Sequence, residues 1–162
     1  MSRDPIALAR ENWESEGWDD AALGMVAVTS VMRAQAIYQA RVDEALKPFD
    51  LTFARYELLM LLHFSSRGSM PLKKASERLQ VHPTSITNAV DRLETAGLVT
   101  RTPHPTDGRA TLIAVTDEGR RLALKASGVL NDEVFGRPGL PERRLTTLVN
   151  ALEDLRKSAG DF

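Results

Sequence analysis

Apolar side chains recur along most of this chain at three- and four-residue intervals, and the polar residues between them mark where each run starts and stops. From Gly24 to about Phe49, Met25, Val28, Met32, Ala36, Val42 and Leu46 come close to helical spacing, and Pro48 should end the long helix they predict. Thr52 can cap a second helix through Phe53, Tyr56, Leu59, Met60 and His63, closed by the turn "SSRGSMP". Pro71 fits the first turn of a short third helix, "LKKASERL", with Leu72, Ala75 and Leu79 as its apolar stripe. Only "QVHP" separates it from a fourth helix, which begins at Pro83 and runs to Gly97, a residue suited to a helix C-terminus. Ile86, Ala89 or Val90, and Leu93 turn inward there, leaving Thr84, Ser85, Thr87, Asn88, Asp91, Arg92 and Thr95 on the other face.

The period then changes. Leu98 to Thr102 and Ala110 to Val115 are too short for helices and rich in β-formers, so they predict two strands joined by "PHPTDGRAT". Thr116 can cap another helix beginning "DEGRRLALKASGVL", whose Asp117 and Glu118 suit the positive end of the helix dipole. After the break at Gly136, Pro138 and Gly139, a last helix repeats Leu145, Leu148 or Val149, Leu152 and Leu155. The expected order is four helices, a hairpin and two helices. Its middle is a short helix, a tight turn, a second helix with a polar face and a β-wing, which is the helix-turn-helix pattern. The fold class is therefore mainly α with a small β-wing. A lobe of this size has little core, so the apolar helices at both chain ends must bury against something, and a second copy is the economical answer.

The 162 residues suit one domain, and 43% hydrophobic with 27% charged residues is ordinary for a globular protein. There is no unbroken run of some 18 apolar residues and the start is acidic, so a cytoplasmic protein with neither a membrane span nor a secretory signal is expected. The absence of cysteine excludes disulfides, thiol redox sensing and cysteine-ligated zinc. The net charge of −1 conceals an asymmetry: residues 1–20 carry two Arg against six acids, and the remainder 19 basic against 16 acidic residues. That excess permits nucleic-acid binding without demanding it, because a local basic patch matters more than the sum.

The helix after "VHP" offers short hydrogen-bonding side chains, Thr84, Ser85, Thr87 and Asn88, that can approach base edges, and its N-terminal amides can meet phosphate. Lys73 and Lys74 are placed to anchor phosphates. Arg109, at the loop tip, can enter an adjacent minor groove, with Asp107 to orient it or to tie the loop to a backbone amide, and Pro103 and Pro105 to limit the loop. Taken alone, "DGR" reads first as a plain turn, since Asp-Gly is among the commonest turn dipeptides. Arg101 can reach phosphate or point back between the lobes. His63, His82 and His104 lie on separate elements without metal-ligand spacing, and no phosphate loop, nucleophile or carboxylate pair gives an enzyme reading anything to name. No cofactor and no metal are expected.

From about residue 20 to 160 the sequence resembles the MarR family of winged helix-turn-helix regulators. The resemblance is carried by "TFARYELLMLL", "LQVHPTSITNAVDRLETAGLV", the wing and the leucine-rich last helix. It implies a single domain over 1–162: an extension helix in 1–20, dimerisation helices in 21–50 and 117–160, and the winged helix-turn-helix in 51–116. It also implies a homodimeric repressor of a near-palindromic operator in double-stranded DNA. The DNA-contacting residues it implies are Lys73, Lys74, His82, Thr84, Ser85, Thr87, Asn88 and Arg92, with Asp107 and Arg109 in the wing. The extension "DPIALARENWESEGW" is similar to that of the branch released by urate or by tricarboxylates, which implies an effector site of Trp13, Glu57 and Arg101. The match departs where Glu57 replaces an Asp and Ala89 a second arginine, so the effector, a small carboxylate or a purine, is expected to be a carboxylate. The rival readings are a ligand-blind repressor and a winged-helix protein-interaction module. Steep weakening with salt would mark DNA binding and separate the repressors from the module.

Overall fold

The structure is a computed structural model that describes residues 3–106 and 110–162. In chain order it comprises α1 (Pro5–Ser15), α2 (Asp19–Leu46), α3 (Phe53–Phe64), β1 (Ser69–Pro71), α4 (Leu72–Leu79), α5 (Pro83–Thr95), β2 (Val99–Pro103), β3 (Thr111–Val115), α6 (Asp117–Leu130) and α7 (Glu142–Ser158). It is mainly helical with one small antiparallel sheet, as the sequence predicts.

Caps explain most of the boundaries. The Asp4 side chain accepts from the Ile6 amide, Thr52 from that of Arg55 and Thr116 from that of Gly119. The Thr116 hydroxyl also donates to the Gly97 carbonyl at 2.8 Å, which ties the start of α6 to the end of α5. Gly97, with φ 73°, closes α5 in the left-handed region. Gly119 answers a different need, since a Cβ there would lie 2.1 Å from the Leu98 carbonyl oxygen. The first turn of α6 thus seats directly on the chain leaving α5.

Three features differ from the sequence-based expectation. α2 begins at Asp19, before Gly24, and its final turn from Lys47 to Phe49 tightens to a 3₁₀ helix. The "SSRGSMP" turn contains a strand: β1 pairs with β3 from Ser69↔Ala114 to Pro71↔Leu112, giving the order β1-β3-β2. Three residues are too few to show alternation, and Pro71 is tolerated because β1 is an edge. Beyond Leu130, α6 widens into a π-helical turn over Asn131–Phe135, which Gly136 closes by donating to the Asn131 carbonyl at 2.8 Å.

One core joins the C-terminal turns of α2 to α3, α5, the sheet and α6, with Leu46, Leu58, Leu59, Leu62, Leu93 and Ile113 fully buried. The Tyr56 hydroxyl meets Ser127 Oγ at 2.9 Å and locks α3 to α6. α1 and α7 bury no residue, and α2 buries only Ala22 ahead of Val42. Leu23, Met32, Val149 and Leu155 stand exposed on these arms. By length and composition the span Asp19–Phe49 is apolar enough to cross a membrane. Interspersed Thr29, Ser30, Arg33 and Gln35 keep that property from showing as a continuous apolar run.

Candidate nucleic-acid interface

α5 owes its start to His82. The ring Nδ1 accepts from the Thr84 amide at 3.2 Å, and the His82 carbonyl accepts from Ser85 at 2.9 Å and Ile86 at 3.2 Å. Since Pro83 has no N–H, the amides expected to be open for phosphate are already bonded, so His82 replaces an anion at this terminus. With Nδ1 accepting, the ring carries its proton on Nε2.

Thr84, Ser85, Asn88 and Arg92 are exposed along α5, and Ser85, Asn88 and Arg92 border one cleft of about 860 Å³ toward the loop after α2. Thr87 departs from this set. It is half-buried against α4, and its hydroxyl donates to the Pro83 carbonyl at 2.8 Å. The two lysines of α4 also diverge: Lys73 lies 3.9 Å from Glu77, an exposed pair of small energetic consequence, whereas Lys74 faces the wing side.

Beyond the shared core, the side-chain polar contacts between the wing strands and α5 run through one residue among those described. Arg101, on β2, reaches Asp91 at 2.5 Å and Glu94 at 2.9 Å, and donates to the Thr87 carbonyl at 3.3 Å. Three acceptors on one helix fix the fork of a single guanidinium, so the strand and the polar helix keep one mutual angle. β2 and β3 pair from Val99↔Val115 to Pro103↔Thr111, and His104 N donates to the Ala110 carbonyl at 2.9 Å to close the ladder. Asp107 and Arg109, assigned to the wing tip from sequence, lie outside the described residues.

The MarR family model matches residues 51–111, the segment from the start of α3 to the start of β3. YhbI, an uncharacterized HTH-type transcriptional regulator of Bacillus subtilis, is 36% identical over 58% of this chain, which spans 62% of that protein's length. Mb0904, an uncharacterized HTH-type transcriptional regulator of Mycobacterium bovis, is 31% identical over 88% of this chain and 91% of its own. The crystal structure of Sco5413, a MarR family transcriptional regulator from Streptomyces coelicolor, superposes with a TM-score of 0.78 at 47% identity, over 86% of this chain and 96% of that one. The chain belongs to the MarR family. MarR regulators are DNA-binding proteins without catalytic activity, and the winged helix-turn-helix described above is their DNA-binding element.

Within this MarR chain the three residues assigned to an effector occupy separate settings. Trp13 packs edge-on against Trp18, with ring centroids 5.4 Å apart, and so pins α1 to the start of α2. Glu57 lines a cavity of about 30 Å³ between α3 and α5 that includes neither Trp13 nor Arg101. That is room for one water. Burial there raises the Glu57 carboxyl above its ordinary 4.5. Arg101 is committed to Asp91 and Glu94. The histidines are equally dispersed: Arg120 bonds His63 Nδ1 at 3.0 Å, His82 caps α5 and His104 faces Thr106.

Arg101's partners do not stand out in the sequence, because Asp91 and Glu94 look like ordinary solvated positions on the polar face. Their spacing of three on one helix face, opposite a strand arginine, was the available signal.

Proposed function

We propose that the chain is a homodimeric, cytoplasmic repressor that reads a near-palindromic operator and is released by a small anionic metabolite. The observation that carries this reading is the exposed polar face of α5 held at a fixed angle to the wing by Arg101. Thr84, Ser85, Asn88 and Arg92 meet the major groove, His82 and Thr87 support that helix, and Lys73 and Lys74 hold phosphates. Arg109, supported by Asp107, takes the flanking minor groove. The uncovered apolar faces of α2 and α7 support the dimer, since such faces are rarely left in water.

The presence of α1, with Trp13 on it, supports the branch that answers to urate or tricarboxylates. Trp13, Glu57 and Arg101 form the effector set in this reading, assembled when a second subunit completes the interface. An anion that competes for Arg101 must displace Asp91 and Glu94, and this loosens α5 from the wing. Ligand affinity and operator affinity are then coupled through one clamp. The second reading, a ligand-blind repressor, is favoured by the one-water cavity at Glu57. Calorimetry with citrate, trans-aconitate and urate separates the two.

Selection from random duplexes is the test of DNA recognition. Enrichment of two inverted half-sites about 10 base pairs apart, centre to centre, is the expected result. A single half-site overturns the dimer, and no enrichment overturns DNA reading altogether. On the selected site Arg109→Ala weakens binding chiefly where the flanks are A·T-rich.

A further inference from the structure

A cleft of about 700 Å³ opens along the outer edge of β1, between the loop after α3, the face of α4 opposite the α5 groove, and the base of the wing. Arg67 borders it from the loop, Lys74 and Arg78 from α4, and His104 from the wing. Lys74 and Arg78 stand four apart and share one face of α4. Among the described residues no carboxylate lines the cleft, and none lies within 4.0 Å of the charged atoms of Arg67, Lys74 or Arg78. In a chain whose net charge is −1, three such cations around one concavity are a local concentration of positive potential.

The histidine lining the cleft adds an imidazole donor. His104 Nδ1 accepts from the Thr106 amide at 3.4 Å and faces the Thr106 hydroxyl at 3.3 Å, which leaves the ring proton on Nε2. Its main chain is fixed by the bond to Ala110. Phe64, 74% exposed, stands at the mouth and offers an aromatic face beside the cations. The volume falls within the range of small-molecule sites, and the cations come from three segments that the β1-β3-β2 sheet sets side by side.

We propose that this cleft binds an oxyanion, the phosphate or carboxylate group of a ligand, through Arg67, Lys74, Arg78 and His104. The site is separate from the effector set of Trp13, Glu57 and Arg101. An anion held there links α4 to the base of the wing, as Arg101 links α5 to β2. Its two sources are a free metabolite and a backbone phosphate of the operator flank, and both present the same chemistry to the cleft.

The test uses the full-length protein and inorganic phosphate, titrated at constant ionic strength against chloride and followed by amide chemical shifts. Saturable shifts at Ser66, Arg67, His104 and Thr106 are expected, with at least tenfold weaker binding in the Arg67→Gln/Arg78→Gln double variant at an unchanged melting temperature. In a second arm, wild type and variant are compared on operator duplexes that stop at the half-sites or extend beyond them. If DNA supplies the anion, the variant loses affinity only on the longer duplex, and its slope of log K against log salt flattens by about 2, as expected for two lost phosphate contacts. If a metabolite supplies it, phosphate binding is lost while both duplexes bind as before. Shifts that chloride reproduces, or that the variant retains, together with unchanged slopes, overturn the proposal. The phosphate arm requires no operator, so it remains decisive even where DNA recognition fails.

Discussion

Between Val42 and Val134 every element is packed against another, and the largest fully buried side chains, from Leu46 to Leu130, all lie there. On either side of that lobe, α1, most of α2 and α7 carry apolar residues with the same helical spacing and bury almost none of them: Met32 is 67% exposed and Val149 58%. The periodicity of α7 is nearly as clear as that of α5 and α6, yet α7 buries nothing, so periodicity alone does not account for the difference. The period of a sequence says which side chains share a face, and the rest of the fold decides what covers that face. The lobe closes on itself, whereas the arms leave their apolar faces uncovered within one chain, which is what the proposed dimer would cover.

The largest expected effect breaks the lobe. In Gly119→Ala the new Cβ meets the Leu98 carbonyl oxygen at 2.1 Å and Val115 Cγ2 at 3.1 Å, and the oxygen belongs to main chain that also accepts from the Thr116 amide. Neither side can swing away, so a loss of about 3 kcal/mol is expected in denaturant unfolding of the full chain. A loss below about 1 kcal/mol would show that α6 sits less tightly on the end of α5 than described. The next effect breaks the arms and spares the lobe. Val149→Asp combined with Met32→Asp puts charge on both apolar faces, and sedimentation should show a dimer for the wild type, as proposed, and monomers for the variant. Helical content should be little changed. A variant that stays dimeric would place the subunit interface elsewhere.

This contrast also explains what could be read in advance. The order of helices, the caps at Thr52 and Thr116, Gly97 and the hairpin are local features, and each rests on side chains within a few residues of where it acts. β1 escaped because three residues carry no period and its partner β3 lies more than 40 positions away. The bonded N-terminus of α5 escaped because His is a less common cap than Ser, Thr or Asp, although "VHP" places it one residue ahead of the first helical position. For the candidate site, the exposed face of α5 was legible. Arg101's clamp and the cationic cleft were not, because both depend on which strand and loop the fold sets beside a helix. The assignment of Trp13, Glu57 and Arg101 to one site came from resemblance, and within a single chain they remain apart.

The smallest expected effect lies where lobe and arms differ most in chemistry. Most charges on the arms stand in water, whereas Glu57 is half-buried among Ala54, Leu79, Val81, Ile86 and Ala89, with Ser85 as the one hydroxyl lining the same cavity. Desolvation raises its carboxyl above 4.5, so the folded state holds the proton more tightly than the unfolded chain does. The stabilisation linked to that proton is fully present below the unfolded value and is lost as pH rises through the raised folded value. Above its raised folded value the chain therefore carries a half-buried negative charge at some cost, which Glu57→Gln removes. Thermal melts of the two proteins from pH 4 to 7.5, on a scale of about 1–2 °C, should show the variant melting higher at pH 7.5 and the two converging toward pH 4. A difference that does not change with pH would mean that this carboxylate is solvated as the arm carboxylates are, and that the contrast between the regions does not extend to their charges.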